Sequence, residues 1–211
     1  MRTLPETLEA AVGPFTDVIE ATAATAAVPA DQLTNPTPCA DYAVRDLLRH
    51  LLYWSPRMAA AVRGEPPLPA EGGEEGVELG ADWAERLRER TADLVAALGR
   101  PGALAGTTTM GGGELPAVMI GGMALCELVL HGWDLAVAVG AGYRCPEPVA
   151  EELCAVLARM GDQGRAMGVF GPVVEVPASA PPLERALGLS GRDPEWRPAG
   201  VGDRSGPLAA R

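Results

Sequence analysis

The chain has two histidines, and one of them, His131, follows Glu127 by four residues inside an otherwise apolar run. Gly122–Gly140 reads GMALCELVLHGWDLAVAVG, and its acidic and basic side chains are Glu127, His131 and Asp134. A helix that is apolar almost all the way round is normally buried. A carboxylate buried there needs a partner, or burial raises its pKa until it is neutral. Helical geometry stacks Glu127 and His131 on one face and keeps Asp134 close to that line. A carboxylate and an imidazole so placed can be two ligands of one metal ion.

The other histidine, His50, lies beside a second apolar stripe and would supply a second imidazole. Two imidazoles and one carboxylate leave a fourth position open on a tetrahedral ion, the arrangement of catalytic zinc. Nickel, iron or manganese accept the same donors. Asp134, one turn beyond His131, falls in the substrate space or behind the histidine, where it would orient the imidazole. Tyr53, Trp54 and Arg57 follow His50 by one to two turns and would face the same cavity. Arg57 there could bind a substrate carboxylate; as a lone arginine it also suits a surface or capping role. The same residues admit a reading without metal, in which each histidine is a hydrogen-bonded core residue and Glu127 is neutral or paired with an arginine.

These side chains need long helices to hold them. Thr7 to Ala27 has helical spacing, with Leu8, Val12, Phe15, Val18, Ile19 and Thr22 on one side, and Pro29 ends it. LTNPTPCAD, residues 33–41, is rich in turn formers, with Asp41 as an N-cap for the next helix. Tyr42 to Arg63 is that helix, with an inward stripe of Val44, Leu47, Leu48, Leu51, Trp54 and Met58. Gly64 to Gly80 is proline, glycine and glutamate, a composition that predicts a mobile crossover linker. Asp82 to Leu98 is a third helix, Thr107 to Met110 is extended, and Gly111 to Gly113 is a turn without the pattern of a phosphate loop. Pro116 suits the first turn of the fourth helix. Pro146 to Gly161 is a fifth helix, Val169 to Val176 is extended, and Pro182 to Leu189 makes one or two helical turns. Beyond Gly191 the tail reads as loosely held. The sum is an all-α four-helix bundle with short extra helices and a short extended segment, comprising a bundle over 1–170 and an extension over 171–211.

Composition narrows the partners. At 211 residues the chain can bury a full-sized core. A net charge of -11 and a pI near 4.6 argue against nucleic acid and anionic membrane surfaces. Cys39, Cys126, Cys145 and Cys154 form no CxxC pair, and no signal peptide is visible, so free thiols and a cytoplasmic location are expected. The run from Leu115 to Gly140 is long enough to raise the question of a membrane span, which its charged groups and glycines answer in favour of a core helix.

Three stretches, LTNPTPCADYAVRDLLRHL, GELP at 113–116 and LVLHGWDLAVAVG, resemble the DinB/YfiT-like superfamily of metal-binding four-helix bundles. Within it they are most similar to the actinobacterial branch related to the N-terminal domain of mycothiol-dependent maleylpyruvate isomerase. The similarity runs from about Leu8 to Pro194 and includes the late segment VPASAPPLERALGLSGRDP. It implies a metal held by His50, Glu127 and His131. The chain stops soon after the bundle, where the isomerase continues into a second α/β domain. The implied chemistry is therefore that of a low-molecular-weight thiol such as mycothiol at a divalent metal, zinc first. The expected function is S-transfer to, or isomerisation of, a small electrophile. A non-catalytic sequestering or resistance bundle, or a thiol-independent tailoring enzyme using the metal as a Lewis acid, fits the same ligands. A small-molecule substrate is the expected partner, and the apolar faces of such a bundle also suit a homodimer.

Overall fold

The computed structural model of the chain describes residues 2–26 and 32–198. Five long helical segments build the molecule: α1 (Leu4–Ala26), α2 (Val44–Arg63), α3 (Trp83–Leu98), a continuous helical rod of α4 (Ala117–Cys126), a π-helical turn (Glu127–His131) and α5 (Gly132–Ala138), and α6 (Glu147–Ala166). The short α7 (Pro182–Leu189) follows. β1 (Thr107–Met110) and β2 (Gly113–Pro116) pair antiparallel, Thr107 opposite Pro116 and Met110 opposite Gly113. The all-α reading holds, with this hairpin as its sheet among the described residues. Its turn is Gly111 and Gly112, both at positive φ (62° and 81°), as a two-residue hairpin of that hand requires.

The core lies where the stripes predict. Leu8, Phe15 and Ile19 of α1, Leu47, Leu48 and Leu51 of α2, Leu87 and Leu94 of α3 and Leu153 of α6 are all buried. α1 packs against α3, α4, α5 and α6, and α2 against α3 and the rod. The rod is apolar and long enough to cross a membrane by composition, yet most of it is buried in the fold, so it serves as the central core helix. Gly122 lets α6 close on it: a Cβ there would stand 3.2 Å from Val156 Cγ1.

Several local expectations change. The N-cap of α2 is Ala43, with no side-chain cap bond, rather than Asp41. Thr37 does the tying instead, its hydroxyl donating to the Cys39 and Tyr42 carbonyls. α2 continues through Pro56, which has no N–H to offer the Leu52 carbonyl. Arg90 of α3 donates to that carbonyl, so the break in the ladder is repaired from outside. α2 ends at Gly64, left-handed at φ 68°. Pro116 precedes the rod rather than opening its first turn. α6 runs to Ala166, beyond the expected end at Gly161, because Arg165 donates to the Leu189 carbonyl and Gly164 leaves room for the Phe170 ring. The expected end of the first helix at Pro29 lies outside the described residues, as does the tail beyond residue 198.

Candidate metal centre

His50 projects from α2 and Glu127 and His131 from the π turn of the rod. Their ligand atoms lie within 4.8 Å of one another. Both imidazoles turn Nε2 toward the same carboxylate oxygen: Glu127 Oε2 is 3.2 Å from His50 Nε2 and 3.7 Å from His131 Nε2. The predicted trio is thus brought together. The spacing predicts a regular α-helix for this segment; the structure instead widens it into a single π turn over these residues, a deviation that recurs at functional sites. Inside that turn the Leu128 carbonyl accepts a hydrogen bond from Tyr143 (3.2 Å).

Each histidine is backed on its other nitrogen by a carboxylate from elsewhere in the chain. His50 Nδ1 donates to Glu74 Oε1 at 3.1 Å, and Glu74 also accepts from Trp54 Nε1 (2.6 Å) and the Tyr42 hydroxyl (3.2 Å). His131 Nδ1 donates to Asp134 Oδ2 at 2.9 Å. Asp134 is fully buried and held by the guanidinium of Arg192, Nε to Oδ1 at 2.8 Å and Nη2 to Oδ2 at 2.7 Å. Of the two places its spacing allowed, the substrate space or behind the histidine, it takes the second.

Three further expectations are corrected here. The stretch 64–80 is not merely a linker: residues 71–76 form a tight glycine turn that inserts Glu74 between Tyr42 and Trp54. A Cβ on Gly76 would lie 2.9 Å from Gly72 Cα, and Gly72 and Gly73 are left-handed, so the glycines are what the turn is made of. Glycines crowded around a glutamate pair are the signal that could have found Glu74. The tail is not loose at its start, since Arg192 is only 6% exposed. Arg57 does not reach the site. Its guanidinium lies over the Tyr53 ring, 3.3 Å from the centroid, and donates to the Tyr53 and Pro69 carbonyls, pinning the linker. Trp54, by contrast, does face the site, as its position after His50 predicts. Cys39 comes within 4.8 Å of ligand atoms on His131 and Asp134, but both Asp134 oxygens are already taken, and burial pushes its thiol up to about 11 against the pull of Arg192.

The electrostatics suit a dication. Burial alone would raise Glu127 and Asp134, but the charges of His50 and His131 on the first and of Arg192 on the second hold both below the usual carboxylate range. Glu74 is also lowered: burial opposes this, and hydrogen bonds from His50 and Trp54 outweigh it. With no ion present, burial disfavours the charged form of His50, but the Glu127 charge wins and raises it to about 10. Three carboxylates thus face one arginine. A divalent ion with two neutral imidazoles brings the cluster to neutrality, and both Nδ1–H groups are already committed, which leaves the Nε2 lone pairs for the ion. On this donor chemistry the residues fit a divalent metal.

The family described as mycothiol maleylpyruvate isomerase N-terminal domain matches residues 15–136. Two uncharacterized proteins of Mycobacterium tuberculosis, from strains H37Rv and CDC 1551, are each 30% identical to the chain over 169 residues, which cover 78% of this chain and 87% of the relative. No solved structure matches. His50, Glu74, Glu127, His131 and Asp134 fall inside the family match, and Arg192 lies beyond it.

Proposed function

Because the chain belongs to the family of mycothiol maleylpyruvate isomerase N-terminal domains, we propose that it is a divalent-metal enzyme that uses a low-molecular-weight thiol of the mycothiol kind on a small electrophile. The observation that carries this reading is the convergence of two imidazole Nε2 atoms on Glu127 Oε2, with both Nδ1 atoms anchored on separate carboxylates.

His50, Glu127 and His131 would hold the ion, with zinc the best match to the donors. When bound, such an ion lowers the pKa of a thiol or water in its open position, which supplies a nucleophile near neutral pH. The chain's own residues do the rest. Glu74 and Asp134 keep the two imidazoles in the Nδ1–H tautomer and aim their rings. Trp54 and Tyr42 wall the His50 side; their rings lie 6.5 Å and 5.0 Å from the imidazole. The thiol sulfur forms a bond to an electrophilic carbon. In S-transfer the thiol proton leaves with the displaced group; in isomerisation the same S–C bond breaks again and the thiol is returned.

Metal analysis after zinc addition should find about one equivalent per chain. Zinc-loaded protein should consume a thiol and a chromogenic electrophile together, and His131→Ala should abolish this while the far-ultraviolet dichroism stays helical. Protein that takes up no metal overturns the reading. Metal uptake without turnover across a thiol and electrophile panel would instead make the chain a sequestering bundle, and turnover that persists without thiol would make the metal a simple Lewis acid.

A further inference from the structure

We infer that Arg192, from beyond the family-matching region, is a positioning residue of the metal centre, acting through Asp134 to hold His131 as an Nε2 ligand. The inference rests on the metal reading above and concerns a segment that reading does not use.

The contacts leave Asp134 little freedom. The arginine fork takes one oxygen with Nε and the other with Nη2, a bidentate geometry that fixes the plane of the carboxylate as well as its place. Nη1 of Arg192 is held in turn by Ser190 Oγ at 3.2 Å, and Ser190 donates to the Leu187 carbonyl at 2.8 Å. The Arg192 backbone N–H also bonds to the Leu187 carbonyl (2.9 Å), so the end of α7 sets where the guanidinium sits. Behind it Gly191, at φ 85°, lies so close to Gly171 that a Cβ would be 2.6 Å from its Cα. The segment is therefore built to deliver this side chain.

The geometry also decides the tautomer of His131. Its Nδ1 lies 2.9 Å from Asp134 Oδ2 and 3.4 Å from Arg192 Nη2. A bare Nδ1 lone pair would face an anionic oxygen that Arg192 holds in place; an Nδ1–H satisfies it. Nε2 is then the free ligand atom, on the side of Glu127. Without the fork, Asp134 Oδ1 has no donor in this fully buried place, and the carboxylate is free to turn away from the imidazole. A guanidinium that merely tied down the tail would have no need to share the oxygen that His131 uses.

The test uses full-length protein, zinc as the probe and Arg192→Met, Arg192→Lys, Asp134→Asn and the Arg192→Met/Asp134→Asn double variant. Zinc affinity is read by chelator competition, and the His131 ring nitrogens by NMR of the zinc form, with His50 as the internal control because the chain holds only these two histidines. Arg192→Met should weaken zinc binding by about 10–100-fold, the usual effect of losing such support. It should also shift the His131 Nδ1–H signal and leave that of His50 in place. The double variant should bind no worse than the weaker single one, since both act through one contact. Should Arg192→Met fail to fold, Arg192→Lys, which keeps the charge and loses the fork, should still shift the His131 signal and weaken binding in the same direction. Wild-type zinc affinity with an unmoved His131 signal in the folded variants, or losses that add in the double variant, overturns the inference. A wild-type protein that binds no zinc overturns the metal reading itself.

Discussion

Glu74 enters the site from a turn, and its carboxylate serves three donors at once: His50, Trp54 and Tyr42. Glu74→Ala strips the His50 Nδ1–H and the Trp54 indole N–H of their acceptor, so zinc affinity in a chelator competition should fall by about 10–100-fold. Arg57→Ala, on α2 but holding the same linker, should leave that affinity unchanged because its guanidinium is spent on Tyr53 and the Pro69 carbonyl. An equal loss in the two variants would mean that the linker acts only by its presence. At this scale the sequence exposed His50, Glu127 and His131, since a carboxylate and two imidazoles on apolar helix faces are costly to bury unless they meet one another or a shared ion. It hid Glu74, because a glutamate among glycines and prolines looks solvated until the turn is seen to close around it. It also misplaced Arg57: helical spacing gives a direction along α2, but the fold decides whether the cavity or the linker lies there.

The π turn is the element on which the site depends. Four residues separate Glu127 from His131 in an α-helix and in a π turn alike, so the spacing was legible and the widened backbone was not. Only the tertiary setting, with Tyr143 on the Leu128 carbonyl and Gly132 under the Phe15 and Tyr143 rings, shows why the turn is kept. Deleting Val129 should remove the extra residue that the π turn accommodates and return the rod to a continuous α-helix at little cost in helical dichroism. It should leave everything C-terminal to it facing as before while bringing Glu127 and His131 to three residues apart. Zinc binding should then be lost, since the shortened spacing takes His131 Nε2 and Glu127 Oε2 out of the arrangement that meets His50. A deletion variant that keeps both its helicity and its zinc would show that the π turn is incidental. The other helices were readable from their stripes because each buries one face. β2 and the last turn of α6 were not, since GELP and DQGRA carry no periodic apolar signal.

At the scale of the whole molecule, the thiols bear on alkaline stability. Burial pushes the Cys145 thiol up from 9.0 to about 12, and the neighbouring Cys154 charge adds to this. The folded state therefore holds a proton that the unfolded chain releases, so the contribution is complete below about pH 9 and is lost as pH climbs toward 12. Urea midpoints should drop as pH rises from about 9 to about 11, and less steeply in Cys145→Ala; identical drops would rule the thiol out. The same scale shows how widely the centre is gathered, from Tyr42 near the start of α2 to Arg192 after α7. Arg192 follows His131 by 61 residues. A ribosome adding about 5–20 residues per second makes His131 roughly 3–12 s before the guanidinium that steadies it. Throughout that interval a nascent chain carries His50, Glu127 and His131 without the brace on one of them, so on the proposed metal reading tight loading would wait for the emergence of its C-terminal segment.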